Sequence, residues 1–171
     1  MSKKALKEYL NSLKKQQLEE QILDLYQRFD DVRVFYNFIF NPKEDKLLGE
    51  AKFKISKEYF PPGNRKPKAR RSIAHKQIKH FITLGVDAHL VAELMLFNIE
   101  IAQVYSTDNN NRNTESFTKS MFRSFEQAVE YIIQNGLTGE FAERILKIKQ
   151  ESKTQEWSNF ERFEHLMDRF E

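Results

Sequence analysis

The sequence predicts an all-α protein, and three observations carry that prediction. Glycine and proline are scarce, five and four in 171 residues, and they fall between periodic stretches rather than inside them. No stretch alternates apolar and polar residues in the manner of a half-buried strand. Finally, Ala88 to Tyr105 holds 13 apolar or aromatic residues in 18, which at about 100° per residue wrap most of a helix. Only His89, Glu93, Glu100 and Gln103 form a polar seam along it. A helix apolar nearly all round must be enclosed by others, so this one is the expected centre. The expected architecture is a single compact domain, residues 1–171, of about eight to nine helices. An alternative arrangement stacks successive hairpins as an irregular solenoid.

Taken in order, residues 3–29 read as two helices broken near Ser12 to Lys15. Leu6, Tyr9, Leu10 and Leu13 mark the buried face of the first, and Leu18, Ile22, Leu25, Tyr26 and Phe29 that of the second. Asp30 and Asp31 suit the start of an aromatic helix, Val32 to Phe40, whose rings read as core. Asn41-Pro42-Lys43-Glu44 has the pattern of a capped start, with Asn as N-cap, Pro at the first helical position and Glu44 reaching back. That helix is expected to run to Tyr59 and stop at Pro61-Pro62-Gly63. A helix from near Lys68 to Leu84 follows, closed by Gly85, with Asp87 capping the central helix. Phe117, Met121, Phe125, Ala128, Ile132 and Ile133 define the next helix, which stops at Asn135-Gly136. Thr138 is placed to cap a helix bearing Phe141, Ile145, Leu146 and Ile148, and an amphipathic piece from Trp157 to Phe170 ends the chain. Segments 61–67 and 107–113 are the expected flexible loops.

Composition sets the class. An apolar fraction of 40% with 31% charged residues is that of a soluble globular protein. Without cysteine there is no thiolate zinc site, disulfide framework or cysteine nucleophile. The N-terminus lacks the apolar segment of a secretory signal, and Glu93 and Glu100 oppose a membrane span, so a cytoplasmic protein is expected. Net charge is +3, yet Arg65 to Lys79 holds seven Lys or Arg and no acid, which leaves the remainder at −4. Basic character is therefore local, an address for an anionic partner.

The chain resembles a small uncharacterised bacterial family of helical proteins, a domain of unknown function. KALKEYLNSL, LDLYQRF, KEYFP, KARRSIAHKQIKHFITLGVDAHLVAELMLFNIEIAQVYS and KSMFRSFEQAVEYI carry the likeness, which spans nearly the whole chain. It implies one helical domain and brings no activity or ligand with it.

The strongest candidate site is the basic segment. On a helical wheel Arg71, His75, Lys76, Lys79 and His80 share one half, and Ile73, Ala74, Ile78, Phe81, Ile82 and Leu84 share the other. The apolar half is expected to pack on the central helix and the basic half to face water. Arg65, Lys66, Lys68 and Arg70 crowd cations at the positive end of the helix dipole, which an anion there would offset. Tyr59 and Phe60 precede the loop and offer stacking surfaces for single-stranded nucleic acid. The bland alternative is a solvated lysine-rich face. A second candidate is the His89, Glu93 and Glu100 seam, whose spacing fits metal ligands or, more simply, pairing with Lys or Arg of a neighbouring helix. Glu161, His165 and Asp168 invite the same two readings. Asn98, inside the apolar arc, needs a hydrogen bond and is assigned to a backbone group of a neighbouring helix, with a pocket-lining role as the alternative. The N-terminal helices have the generic look of a nucleic-acid hairpin module or of ordinary core helices.

No Gly-rich phosphate loop, G-x-S-x-G or H-E-x-x-H is present. The reading is a non-enzymatic helical adaptor without a cofactor, its partner a protein or a nucleic acid. RNA or DNA phosphate binding through residues 65–79 is the first alternative, and a metal-dependent enzyme built on the seam is the second.

Overall fold

The computed structural model of the protein describes residues 2–109 and 113–167. Among them are nine helices and no strand: α1 Lys3–Ser12, α2 Lys15–Arg28, α3 Asp30–Phe40, α4 Glu44–Tyr59, α5 Arg71–Leu84, α6 Ala88–Asp108, α7 Glu115–Gln134, α8 Thr138–Thr154 and α9 Phe160–Met167. The chain is all-α, and it falls into two compact units, Met1–Lys43 and Glu44–Glu171. None of the helices is long and apolar enough to cross a membrane.

Local chemistry sets most helix ends. Ser2 accepts the Ala5 N–H at 3.2 Å to start α1, and Gln17 accepts the Lys14 N–H at 2.9 Å at the head of α2. Asp87 accepts from the His89 N–H at 2.8 Å and caps α6, as Thr114 does for α7 through the Phe117 N–H. Gly85 leaves α5 in the left-handed region, φ 71°, a conformation that would strain any residue with a β-carbon. The Val86 N–H then returns to the Phe81 carbonyl at 3.1 Å, which turns the chain directly into α6.

The expected starts of α4 and α8 are among those that differ. Asn41 closes α3 instead of opening α4, and α4 begins at Glu44. The Glu44 carboxylate does not reach back to its own helix; it accepts the Asp87 N–H at 3.2 Å and ties the start of α4 to the start of α6. Thr138 is the first residue of α8 and does not cap it.

In the unit from Glu44 onward, α6 is the hub. It contacts α4, α5, α7 and α8, whereas α8 and α7 reach α9. A row of stacked hairpins would give each helix only its neighbours, so the unit is a bundle about one axis. Val91, Ala92, Leu94, Leu96, Ile99 and Ala102 of α6 are wholly buried, as are Met121, Phe125, Ala128 and Ile132 of α7. Trp157, outside any helix, fills the lower core edge-on to Phe117 and Phe163. Its indole N–H donates to Gln155 Oε1 at 3.0 Å. Gln103 on α6 donates to the Ile148 carbonyl of α8 at 2.8 Å, and Gln155 donates to the Gln103 carbonyl at 3.1 Å, so the buried amides lock α6 to α8.

The unit of residues 1–43 contradicts the expectation of buried faces. None of its described residues is buried. Leu23 is 59% exposed and Phe40 78%. α2 packs on α3 through an edge-on Tyr26–Tyr36 pair and a Tyr26 hydroxyl that donates to Asn37 at 2.9 Å. Three short helices have too little chain to enclose an interior, so the aromatic cluster is surface rather than core.

The contrast is measurable by chemical denaturation. Leu94→Ala, at a fully enclosed position, costs about 2–5 kcal/mol. Leu23→Ala costs less than about 0.5 kcal/mol. Equal losses would contradict this distribution of burial.

Candidate functional site

The basic segment folds into three parts with different duties. At its start, the loop is fastened by Glu58, whose carbonyl accepts the N–H groups of Lys68 and Ala69, both at 2.9 Å. Holding both bonds puts Ala69 at φ 47°, a left-handed conformation that a β-carbon resists. The Glu58 carboxylate accepts from Arg70 Nε and Nη2, at 2.8 and 2.9 Å. That paired guanidinium holds Glu58 below the usual carboxylate range. Because of this loop α5 begins at Arg71, three residues later than expected. Arg70 is thus committed to a fold contact.

Arg71 also turns inward. Its Nε donates to Ser124 at 3.0 Å and its Nη2 to Gln127 at 2.7 Å, so it spans from α5 to α7. Both acceptors are neutral, and no carboxylate pairs with it among the described residues. Burial, and next the Arg123 cation, push the Arg71 guanidinium down from its ordinary value. Tyr59 is withdrawn from any stacking role: it is 1% exposed and packs on Tyr105 at 5.7 Å. Burial raises its hydroxyl well above the normal tyrosine range. Phe60 stays 39% exposed, edge-on to Tyr105.

The remaining cations are available. Arg65, Lys66, Lys68, Lys76 and Lys79 are exposed and make no ion pair among the described residues; His75 and His80 are exposed beside them. Of the expected apolar half of α5, Ala74, Phe81 and Leu84 are buried, but Ile82 is 50% exposed. The reason is a groove. α5 and α7 each pack on α6, and between them lies a cavity of about 560 Å³. His75, Ile78, Lys79 and Ile82 line it from α5, Met95 and Asn98 from α6, and Ser124, Gln127, Glu130 and Tyr131 from α7. Asn98 is 1% exposed, and its Oδ1 has no hydrogen-bond partner among the described residues. The backbone contact expected of it is absent, and it forms part of the groove floor instead.

The contribution of α7 was missed from the sequence. Ser124, Gln127 and Tyr131 do stand at helical spacing beside the apolar stripe. Such a polar stripe becomes meaningful only once Arg71, more than fifty residues earlier, lands on it.

The seam on α6 pairs with neighbouring helices. Glu93 receives Lys52 of α4 and Arg144 of α8, and Arg144 also grips Glu100 at 2.8 and 2.9 Å. Burial raises the Glu93 carboxyl, but the hydrogen bonds from Lys52 and Arg144 outweigh it and hold the group below its ordinary value. His89 stands apart, 3.6 Å from Glu140 and packed on Phe141. No group of three or more His, Asp or Glu among the described residues is placed to hold a metal ion. Of the terminal trio, Glu161 and His165 lie on α9 and Asp168 is outside the described residues, as are residues 110–112 of the expected loop.

A family model described as a family of unknown function (DUF6155) matches residues 1–171, and the chain belongs to that family. Nothing among curated proteins or solved structures matches the chain.

The seam has a pH signature. Glu93 is depressed in the folded state, so its contribution is complete above the unfolded carboxyl value near 4.5 and is lost as pH falls through the lower folded value. Arg144→Met strands the partly buried Glu100 and leaves Glu93 with Lys52 alone, and costs about 2–3 kcal/mol at neutral pH. Denaturation of the variant at falling pH is expected to show a smaller acid-dependent loss than wild type. An unchanged slope would mean that the pair contributes nothing.

Proposed function

We propose that this family member is a non-enzymatic helical binding protein that engages an acidic protein surface through residues 65–79. One observation carries the reading: Arg65, Lys66, Lys76 and Lys79 are exposed and make no ion pair among the described residues, whereas Arg70 and Arg71 are used internally and Lys68 is drawn to Glu58. Like charges gathered without counter-ions raise the local potential and favour an anionic partner. The loss of Tyr59 to the core takes away one of the two rings that single-stranded nucleic acid would stack on. The apolar faces left open on α2 and α3 add a surface of the kind that protein partners cover.

The test is fluorescence anisotropy with a labelled glutamate-rich peptide, single-stranded RNA and duplex DNA, at low and near-physiological salt. Lys66→Glu/Lys76→Glu is the informative variant, because both side chains are exposed and make no ion pair among the described residues, while Arg70 and Arg71 hold fold contacts. The peptide is expected to bind at near-physiological salt and to lose about tenfold or more in affinity in the variant, with RNA and DNA released by salt. RNA binding that survives salt and collapses in the variant would favour the nucleic-acid alternative. No binding by any probe would reduce the segment to a solvated face.

A further inference from the structure

The groove between α5 and α7 has features that a surface contact does not require. Its floor holds a polar side chain, Asn98, that is almost fully enclosed and whose Oδ1 is unpaired. Such an atom forfeits its water contacts without replacement, a cost that a ligand donor in the groove would remove. Its mouth holds Arg71, half-buried and held only by neutral acceptors, next to the further cation Arg123. Burial of a guanidinium without an anion is unfavourable unless a ligand supplies one. Between these lie Ile78, Ile82 and Met95, and Ile82 is an apolar side chain the fold leaves half open. At about 560 Å³ the space matches the ordinary size of small-molecule pockets, which combine apolar walls with a few polar anchors.

We propose that this groove binds a small amphipathic organic anion. Its carboxylate, sulfonate or phosphate head pairs with Arg71, its apolar body lies along Ile78, Ile82 and Met95, and a hydrogen-bonding group meets the Asn98 amide. Beyond Arg71, a polar depression of about 390 Å³ lined by Lys68, Ser116 and Ser120 gives the head group room and further donors. Lys79 and His75 on the α5 rim add to the positive potential, and the acid of the lining, Glu130, stands on α7. The site does not depend on the partner reading, because Lys66 and Lys76 line neither the groove nor the depression.

Anilinonaphthalene sulfonate combines the three features: an anionic head, an apolar ring system and one N–H donor. It is titrated into the full chain by fluorescence, with decanoate as competitor, against Arg71→Gln, Ile82→Glu, Asn98→Leu and Phe40→Ser. Arg71→Gln keeps a hydrogen-bonding side chain toward α7, and Ile82→Glu alters a half-exposed position, so both are expected to fold; thermal melts verify this. The proposal predicts one-to-one binding that decanoate displaces. Affinity falls about tenfold in Arg71→Gln and in Ile82→Glu, as expected for loss of one charged or apolar anchor. Asn98→Leu binds more weakly yet melts at or above the wild-type temperature, and Phe40→Ser binds as wild type. Unchanged affinity in both Arg71→Gln and Ile82→Glu overturns the proposal, as does binding that only Phe40→Ser abolishes. If one of the two groove variants unfolds, the other decides.

Discussion

Enclosing α6 on all sides is the constraint from which the larger unit follows. Six of its apolar side chains are wholly buried, and an apolar helix exposed to water on any broad face would lose a large part of the burial that drives folding. Four helices contact it, and their angular order is set by what each side of α6 presents. The acidic side cannot face an apolar neighbour without leaving charge unpaired, so α4 and α8 meet it with Lys52 and Arg144. Those ion pairs therefore select which helices flank the seam, in addition to whatever stability they contribute. Gln103 and Gln155 repeat the device lower down with neutral amides.

The opposite side of α6 is solved less completely. α5 and α7 both pack on it, and Arg71 reaches across by hydrogen bonds alone. Buried polar atoms are ordinarily hydrogen-bonded, and the Asn98 Oδ1 at the floor of this groove has no partner among the described residues. A protein selected for stability alone gains from leucine at position 98. Asparagine there is what the proposed ligand site requires.

Features encoded within a few residues were legible in the sequence: the all-round apolar run of α6, the Gly85 turn, the Asp87 cap and the Pro61-Pro62 stop after α4. Each depends on backbone chemistry that neighbours decide. The candidate site was only partly legible. A helical wheel placed Arg71 in water, because its acceptors belong to a helix fifty residues away. Arg70 and Tyr59 looked available for the same reason: one is claimed by Glu58 and the other by Tyr105 and its neighbours. The N-terminal helices erred in the other direction. Their periodicity promised a buried face, but periodicity reports that a face is apolar and says nothing of whether the chain covers it.

Native-state hydrogen exchange tests the central role of α6 most directly. If the larger unit depends on enclosing this helix, amides from Val91 to Gln103 exchange only through global unfolding, with the highest protection in the chain. Amides of α1 to α3, which have no buried side chains, exchange through local opening at far lower protection. Equal protection in α2 and α6, or fraying of α6 below the global value while α7 remains protected, would contradict the account.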